Sequence, residues 1–384
     1  MKRFITILLF LIVFMSQSQL NVNASLDLAK NGESACLIEA STKRIIYEKE
    51  PNKRLSPASM TKIMTMLLVM ESLDKNIITL DDLVSTPEEA KELGGKQIYL
   101  EVGEEMKVED LLKATAIDSS NDAAMSLAVY VGGSSENFVA MMNKKAKEIG
   151  LENTNFKNPH GFDEENHYSS ARDMAMMGAY LIENYPIILD YTSRYEDYVR
   201  EDNIEKKFWL VNTNKLVKHM PGVDGLKTGW TNEAGYCITA TIKKNDIRFI
   251  AVTMNCDNVK LRTEDVVSML NFATNTYDLK RFMKKGDIVT TVEDVINKPK
   301  KYNVILTEDI NILKKKGTEV KDVKIDIKID KLKLKDLNET VGTLEVHYNG
   351  ELYKTVELIV DEKVEKAKFI DVVFEVLKEI FLVS

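Results

Sequence analysis

The stretch Arg54-Leu55-Ser56-Pro57-Ala58-Ser59-Met60-Thr61-Lys62 contains the pattern that decides the fold and points to a chemistry. Ser59 and Lys62 are three positions apart, so on a helix they share one face and the amine can take the hydroxyl proton. We expect Ser56 to cap this helix and Pro57 to occupy its first position. Ser59 then lies in the first turn, where unpaired backbone N–H groups favour negative charge at a reacting centre.

The residues after Ser59 predict a buried helix. Apolar side chains recur at helical spacing at Met60, Ile63, Met64, Leu67 and Leu68. Burial disfavours the ammonium form of Lys62, which lets it act as a general base near neutral pH. Taken alone, however, the motif fits an ordinary capped helix with a surface lysine better than it fits a catalytic pair.

Two further motifs, downstream in the chain, reverse that judgement. Ser119-Ser120-Asn121 lies between an apolar stretch at 111–117 and the run Ala123-Ala124-Met125, so it reads as a polar break between two helices. Such a break can point a hydroxyl and an amide into a cleft.

The third motif, Lys227-Thr228-Gly229, opens a stretch that we interpret as three strands, with turns at 232–235 and 244–246. Lys227 and Thr228 then lie on a strand edge that faces the helix. Gly229 allows the backbone of a substrate to approach closely.

The three motifs in this order resemble those of the serine-type D-alanyl-D-alanine carboxypeptidases, the low-molecular-mass penicillin-binding proteins. The resemblance covers roughly residues 30–280 closely and the remainder in architecture only. It is carried by the stretch 54–62 and by three further phrases: Asn158-Pro159-His160-Gly161-Phe162-Asp163, His167-Tyr168-Ser169-Ser170-Ala171-Arg172-Asp173-Met174 and Asn212-Thr213-Asn214-Lys215-Leu216.

The resemblance implies a role for each reacting group. Ser59 would attack the carbonyl between two terminal D-alanines to form an acyl-enzyme, and Lys62 would take its proton. Ser119 would relay protons toward the leaving amine. Asn121 would bind an amide carbonyl of the substrate.

The resemblance also implies how the substrate is held. Lys227 would supply positive potential around the substrate carboxylate, and Thr228 would donate its hydroxyl to it. Gly229 would permit the close approach, and the oxyanion hole would consist of the backbone N–H groups of Ser59 and Trp230. The implied partners are the peptidoglycan stem peptide and β-lactam inhibitors, without a cofactor or a metal ion.

Two positions depart from the commonest pattern of this family. Ser120 stands where glycine or alanine is frequent, and the bulky Trp230 follows the third motif. A class A β-lactamase is the alternative enzyme, although the middle motif lacks its aspartate and no loop glutamate for fast deacylation is evident. A non-catalytic wall-binding protein is the other alternative, but it would have been expected to lose Ser59 or Lys62.

The N-terminus and the charge predict an exported enzyme. Lys2 and Arg3 precede the apolar run 4–15, and Val22-Asn23-Ala24 forms a cleavage site, so residues 1–24 read as a signal peptide. The alternative is an uncleaved anchor. Removal leaves 50 basic against 60 acidic residues, a net charge of −10 that argues against nucleic acid as a partner. We expect the enzyme at the outer face of the cytoplasmic membrane.

The cysteines and histidines suggest no additional chemistry. Cys36, Cys237 and Cys256 are an odd number for an exported protein, and buried thiols are favoured, with a Cys237–Cys256 bridge left open. His160 and Asp163 could suggest a catalytic pair. We favour instead a structural loop beneath the cleft, because Lys62 already supplies a base.

Past residue 278 the sequence predicts a separate β-rich domain and a tail. Val323, Ile325, Ile327 and Ile329 alternate with charged residues as in a half-buried strand, and Asn349-Gly350 predicts a hairpin turn. Residues 363–384 form an amphipathic helix with a narrow polar stripe. It resembles the membrane-surface anchor of these carboxypeptidases, and the alternative is that it packs on the β-rich domain.

The sequence therefore predicts an α/β (α+β) protein in four parts. Residues 1–24 are a signal peptide, and 25–278 form a β-lactamase/transpeptidase-like catalytic domain with an antiparallel sheet and a helical subdomain. Residues 279–362 form a small β-rich domain, and 363–384 an amphipathic helix.

Overall fold

The structure is a computed structural model that describes residues 26–294, 296–330 and 339–382. The predicted signal peptide lies outside the described residues. The helices are α1 Lys62–Asp74, α2 Glu88–Lys91, α3 Val108–Lys113, α4 Asn121–Gly132, α5 Ser135–Glu148, α6 Ala171–Asn184, α7 Leu189–Thr192, α8 Leu216–His219, α9 Val259–Thr276 and α10 Phe369–Leu382. Short 3₁₀ turns cover Ala58–Thr61 and Pro186–Ile188, and a π-helical segment covers Ala114–Asp118.

The strands divide between two parts of the chain, the first of which ends with helix α9. The first part contains β1 Ser34–Glu39, β2 Ile45–Lys49, β3 Leu83–Ser85, β4 Glu105–Lys107, β5 Glu196–Val199, β6 Phe208–Val211, β7 Val223–Thr231, β8 Gly235–Lys244 and β9 Ile247–Cys256. The second contains β10 Tyr277–Met283, β11 Ile288–Glu293, β12 Asn297–Lys298, β13 Lys301–Leu306, β14 Ile310–Lys315, β15 Val323–Ile329, β16 Gly342–Tyr348, β17 Glu351–Val360 and β18 Glu365–Lys366.

A five-stranded antiparallel sheet in the order β2-β1-β9-β8-β7 forms the centre of the first part. The stretch that begins with the third motif is interpreted from the sequence as three strands joined by two turns. These strands are β7, β8 and β9. Helices α1 and α6 cover one face of the sheet and α9 covers the other, with an apolar core on each side. The strand β7 is at the edge, which leaves the third motif open to a cleft.

Helix α1 lies in the middle of the larger core. Every residue from Lys62 to Met70 is buried, as expected for a helix that is apolar on nearly all sides. The predicted burial of this helix is therefore present, and it extends to Lys62 itself.

The predicted start of this helix is wrong in its details. The Ser56 side chain does not cap it but donates a hydrogen bond to Asp163 Oδ1 at 2.8 Å, and the chain enters through the 3₁₀ turn Ala58–Thr61. Ala58 has φ 46°, in the left-handed region. This sharp turn replaces the extended N-cap conformation because close tertiary packing holds it: a Cβ added to Gly229 would lie 2.7 Å from the Pro57 carbonyl oxygen.

The second part of the chain is rich in strands, as predicted. β10 pairs with β14, and a five-stranded antiparallel sheet has the order β11-β13-β17-β16-β15. The predicted turn Asn349-Gly350 joins β16 to β17, and both residues have positive φ. The edge strand β15 is less buried than its alternation suggests, since Ile325 and Ile327 are 38% and 44% exposed.

The C-terminal helix α10 keeps large apolar side chains on its surface. Phe369 and Phe381 are 84% and 73% exposed, and Phe374 is exposed as well. The alternative that this face packs on the β-rich domain does not hold for Phe369 and Phe374. None of the helices in the described ranges combines the length and the apolarity required to cross a membrane.

All three cysteines are free, buried thiols. The Cys237–Cys256 bridge that the sequence left open is not formed. Burial raises the pKa of Cys237 to about 12 and that of Cys256 to about 11, so both remain protonated and unreactive near neutral pH.

Candidate active site

Ser59 and Lys62 form a hydrogen-bonded pair at the start of α1. Lys62 Nζ lies 3.1 Å from Ser59 Oγ, and it also donates to Asn121 Oδ1 at 2.6 Å and to the His160 carbonyl oxygen at 2.8 Å. The lysine is completely buried. Its three partners fix the amine beside the hydroxyl of Ser59.

The burial of Lys62 changes the acid–base behaviour expected of its amine. Loss of hydration and then the nearby charge of Lys227 hold its pKa well below the ordinary value for lysine, although Asp122 and Asp118 act in the opposite direction. Its acceptors are an amide oxygen and a backbone carbonyl, neither of which carries a full charge. A neutral amine next to a serine hydroxyl is the arrangement needed to activate that hydroxyl.

The second motif follows an interrupted helix. The chain leaves α3 through the π-helical segment 114–118, and Ser119 takes a left-handed conformation with φ 72° before α4 begins at Asn121. Asp118 accepts hydrogen bonds from Lys96 Nζ at 2.7 Å and from Ser120 Oγ at 3.3 Å, which fixes the break. Among the described residues the Ser119 hydroxyl has no hydrogen-bond partner.

Asn121 holds the base as well as facing the cleft. Its Oδ1 accepts from Lys62, and its Nδ2 donates to the Gly94 carbonyl oxygen at 2.8 Å. The sequence predicted a contact with substrate for this side chain. The structure shows, in addition, that it ties the base to the loop at 94–96 on the wall of the cleft.

The third motif places a second buried lysine in the cleft. Lys227 is 1% exposed, and burial, with the charges of Arg262 and Lys96, lowers its pKa to about 7 despite the opposing effect of Asp118. Thr228 Oγ1 donates to Thr213 Oγ1 at 2.8 Å. The motif therefore places a lysine amine and a hydroxyl side by side.

Gly229 and Trp230 complete the strand edge. Gly229 packs directly on the 3₁₀ turn, because any side chain there would meet Pro57 and Ala58. Trp230 is 54% exposed and packs against Tyr236, with ring centroids 5.8 Å apart. Its side chain lies at the rim of the strand and does not displace the motif.

Sequence reasoning missed two residues that belong to this site. Thr213 contacts Thr228, and its backbone N–H donates to the Ile117 carbonyl oxygen, so it links the second and third motifs. Arg262, on α9, is 6% exposed, and its Nε has no hydrogen-bond partner in the described part of the chain. No motif in the neighbouring sequence marks either residue as part of the site. Thr213 does, however, fall within a phrase that carries the family resemblance.

The backbone of His160 helps to position the amine of Lys62. Its carbonyl oxygen accepts from Lys62, its Nδ1 accepts from the Phe162 N–H at 3.3 Å, and burial lowers its pKa to about 3. Asp163 accepts from Ser56 and from Thr231, both at 2.8 Å. These contacts fit the structural loop that we favoured.

One group outside the cleft has metal-ligand chemistry. His347 Nε2 lies 3.4 Å from Asp326 Oδ2 and 3.7 Å from Glu345 Oε2, on β15 and β16. Glu345 is also paired with Lys328 at 2.5 Å. Because Glu345 is already paired with Lys328 and no cleft residue takes part, we assign no metal to it.

Fold and site together define a serine enzyme of the penicillin-binding type. The profile of the family described as "D-alanyl-D-alanine carboxypeptidase" matches residues 21–258, and that of "Penicillin-binding protein 5, C-terminal domain" matches residues 277–366. The chain belongs to the D-alanyl-D-alanine carboxypeptidase family, peptidase S11.

Individual relatives agree with this assignment. The chain is 48% identical to D-alanyl-D-alanine carboxypeptidase DacF of Bacillus subtilis over 90% of this chain and 88% of that protein. It is 30% identical to DacC of Escherichia coli over 87% and 84% of the two chains. Penicillin-binding protein 5 of Haemophilus influenzae superposes with a TM-score of 0.74 at 28% identity, covering 88% of this chain and 98% of that one.

Proposed function

We propose that this protein is a serine D,D-carboxypeptidase that removes the terminal D-alanine from peptidoglycan stem pentapeptides. The observation that carries the proposal is the buried amine of Lys62 at 3.1 Å from Ser59 Oγ, within a chain of this family. An ordinary surface lysine would not be buried beside a serine hydroxyl. A wall-binding protein without catalysis would not need this pair.

In the first step Ser59 Oγ forms a bond to the carbonyl carbon between the two D-alanines, and Lys62 accepts its proton. The backbone N–H groups of Ser59 and Trp230 receive the oxyanion. The C–N bond then breaks, and the proton passes through the Ser119 hydroxyl to the amine of the leaving D-alanine. Water hydrolyses the ester and regenerates Ser59.

The terminal carboxylate of the substrate is held at the third motif. Lys227 and Thr228 receive it, and Arg262 adds positive potential from beneath the strand. Asn121 orients the substrate's amide while holding Lys62. Because a β-lactam presents a strained amide near a carboxylate, the same groups would accept it and form a penicilloyl ester on Ser59.

Intact-mass spectrometry with benzylpenicillin, combined with D-alanine release from diacetyl-L-Lys-D-Ala-D-Ala, tests this function. We expect a stable adduct on the wild type, none on Ser59→Ala, and release of D-alanine only by the wild type. Rapid turnover of penicillin without peptide cleavage would instead indicate a β-lactamase. No adduct and no release would favour a wall-binding protein.

We propose further that the enzyme is exported and acts at the outer face of the cytoplasmic membrane, with α10 at the membrane surface. The exposed Phe369, Phe374 and Phe381 support hydrophobic contact with the lipid interface. A chain that ends at Asp361 should lose its association with vesicles, and high salt should not release the full-length protein. Equal association of the two forms would contradict the anchor.

A further inference from the structure

The proposed catalytic geometry fixes the direction in which a stem peptide lies along β7. Its carboxylate is at Lys227 and Thr228, and its scissile carbonyl is at the N–H of Trp230. Residues of an extended chain advance by about 3.3 Å each, so the part of the substrate before the scissile bond continues past Thr231 toward Glu233. The inference that follows rests on this proposed function.

A pocket of about 510 Å³ lies at that end of the strand. Ser56 and Asp163 line it, and Asp163 also accepts a hydrogen bond from Thr231 at the end of β7. The pocket therefore adjoins the end of the strand that carries the third motif. On the proposed course of the substrate, the residue preceding the two D-alanines would reach it.

The charges on this pocket are mostly negative. Its lining includes the carboxylates of Asp163, Glu164, Glu165 and Glu233. Arg54 is its single cation among the described residues, and that guanidinium is occupied by the Tyr168 ring at 4.7 Å and by Asn153. His167, also in the lining, is neutral because burial lowers its pKa to about 4.

Of these four carboxylates, two are already held by neighbouring side chains and two are available to a ligand. Asp163 is held by Ser56 and Thr231, and Glu164 accepts from Asn158 Nδ2 at 3.3 Å. Glu165 and Glu233, in contrast, are exposed and have no hydrogen-bond or ion-pair partner in the described ranges. They come from separate loops and line the same pocket.

We propose that this pocket binds a side-chain ammonium group on the residue that precedes the two D-alanines, with Glu165 and Glu233 as the residues that determine this specificity. The enzyme then distinguishes stem peptides by the charge of that side chain. A free amine is favoured, and acylation of the amine, which removes its charge, removes the preference.

The test compares two peptides that differ only in this charge. Nα-acetyl-L-Lys-D-Ala-D-Ala has a free ε-amine, and the Nα,Nε-diacetyl peptide does not. For the full-length wild type we expect kcat/KM to be about fivefold higher for the free amine, the size expected for two solvent-exposed ion pairs. The preference should shrink as NaCl is raised, because salt screens exposed charges.

The double variant Glu165→Gln/Glu233→Gln should bring the ratio of the two kcat/KM values close to one. The matched control Glu351→Gln/Glu362→Gln removes the same number of exposed charges from the C-terminal part and should keep the wild-type ratio. If the double variant fails to fold, the salt dependence of the wild-type ratio remains as the measurement.

Three results would overturn the inference. Equal kcat/KM for the two peptides with the wild type, or an undiminished ratio with the double variant, would exclude an ammonium-binding pocket while leaving the carboxypeptidase function intact. Failure to release D-alanine from either peptide would remove the proposed function and this inference with it.

Discussion

Lys62 shows how position changes the chemistry of one side chain. The same residue on a surface would be an ammonium group, but burial in α1 and the charge of Lys227 lower its pKa. The hydrogen bonds to Asn121 and His160 then orient the amine toward Ser59. The proposed role of Lys62 as a base therefore depends on its burial and on two acceptors that carry no full charge.

Substitution of Lys62 by arginine should slow acylation strongly. Arginine would place a permanent positive charge in this position and cannot give up its proton, so it cannot act as the base. We expect the rate of acylation by benzylpenicillin to fall by about 10²- to 10⁴-fold, measured by stopped-flow or timed mass spectrometry. A rate within threefold of wild type would show that another group removes the proton.

At the level of secondary-structure elements, the site depends on contact between the 3₁₀ turn Ala58–Thr61 and strand β7. Gly229 allows this contact, and Gly161 allows a loop to lie beneath it, because a Cβ on Gly161 would overlap the Ala58 carbonyl oxygen. The loop is tied to the turn a second time by Thr61 Oγ1 and His167 Nε2, which are 2.8 Å apart.

Gly229→Ala should separate these elements. The added methyl group would lie 2.7 Å from the Pro57 carbonyl oxygen, and either the strand or the turn must move. We expect the acylation rate to fall at least tenfold, since small misplacements at a reacting centre are costly. Gly94→Ala, where the added atom meets open space, is the control and should retain acylation.

The neutral His167 should make folding sensitive to acid. Its pKa is about 4 in the folded state and about 6.5 when unfolded, so the unfolded chain binds more protons in this interval and stability falls as pH drops through it. Between pH 7 and pH 5 the protonation of this one group in the unfolded chain should lower the free energy of unfolding by about 2 kcal/mol.

Urea unfolding at the two pH values checks this effect. In His167→Gln, the decrease in the free energy of unfolding from pH 7 to pH 5 should be smaller than in the wild type by about 2 kcal/mol. In His219→Gln, which changes an exposed histidine, the decrease should equal that of the wild type. An unchanged pH dependence in His167→Gln would mean that His167 is not neutral in the folded protein.

The elements differed in how far the sequence could predict them. The strands β7–β9, the break at Ser119 and the burial of α1 follow from local patterns of polarity and turn residues. The start of α1 does not, because packing against Gly229 and Gly161 overrides the local preference for a Ser56 cap. Thr213 and Arg262 were missed because only the tertiary fold brings Thr213 to Thr228 and the charge of Arg262 near Lys227.

Over the whole molecule, the first family profile ends at residue 258, just before α9, and the second begins at residue 277, where β10 begins. The parts are in contact: the Arg44 guanidinium lies 4.2 Å from the centre of the Tyr353 ring, and the Tyr353 hydroxyl accepts from the Leu313 N–H. Arg44 follows β1 of the central sheet and is remote from the three motifs. The domain boundaries at 278 and 362 remain predictions.

Arg44→Ala should weaken this contact without changing the chemistry. We expect a loss of about 0.5–1 kcal/mol in the free energy of unfolding, the usual size of an exposed cation–π interaction, and an unaltered rate of acylation by benzylpenicillin. Thermal and urea unfolding measure the first and mass spectrometry the second. A large loss of acylation would mean that the C-terminal part supports the active site.

The central claim is that Ser59 is the nucleophile, and locating the covalent adduct tests it most directly. After reaction with benzylpenicillin and digestion with trypsin, the account predicts the penicilloyl group on the peptide 55–62, at Ser59, with no adduct at that peptide in Ser59→Ala. An adduct on any other peptide, or one that persists in Ser59→Ala, would contradict the account.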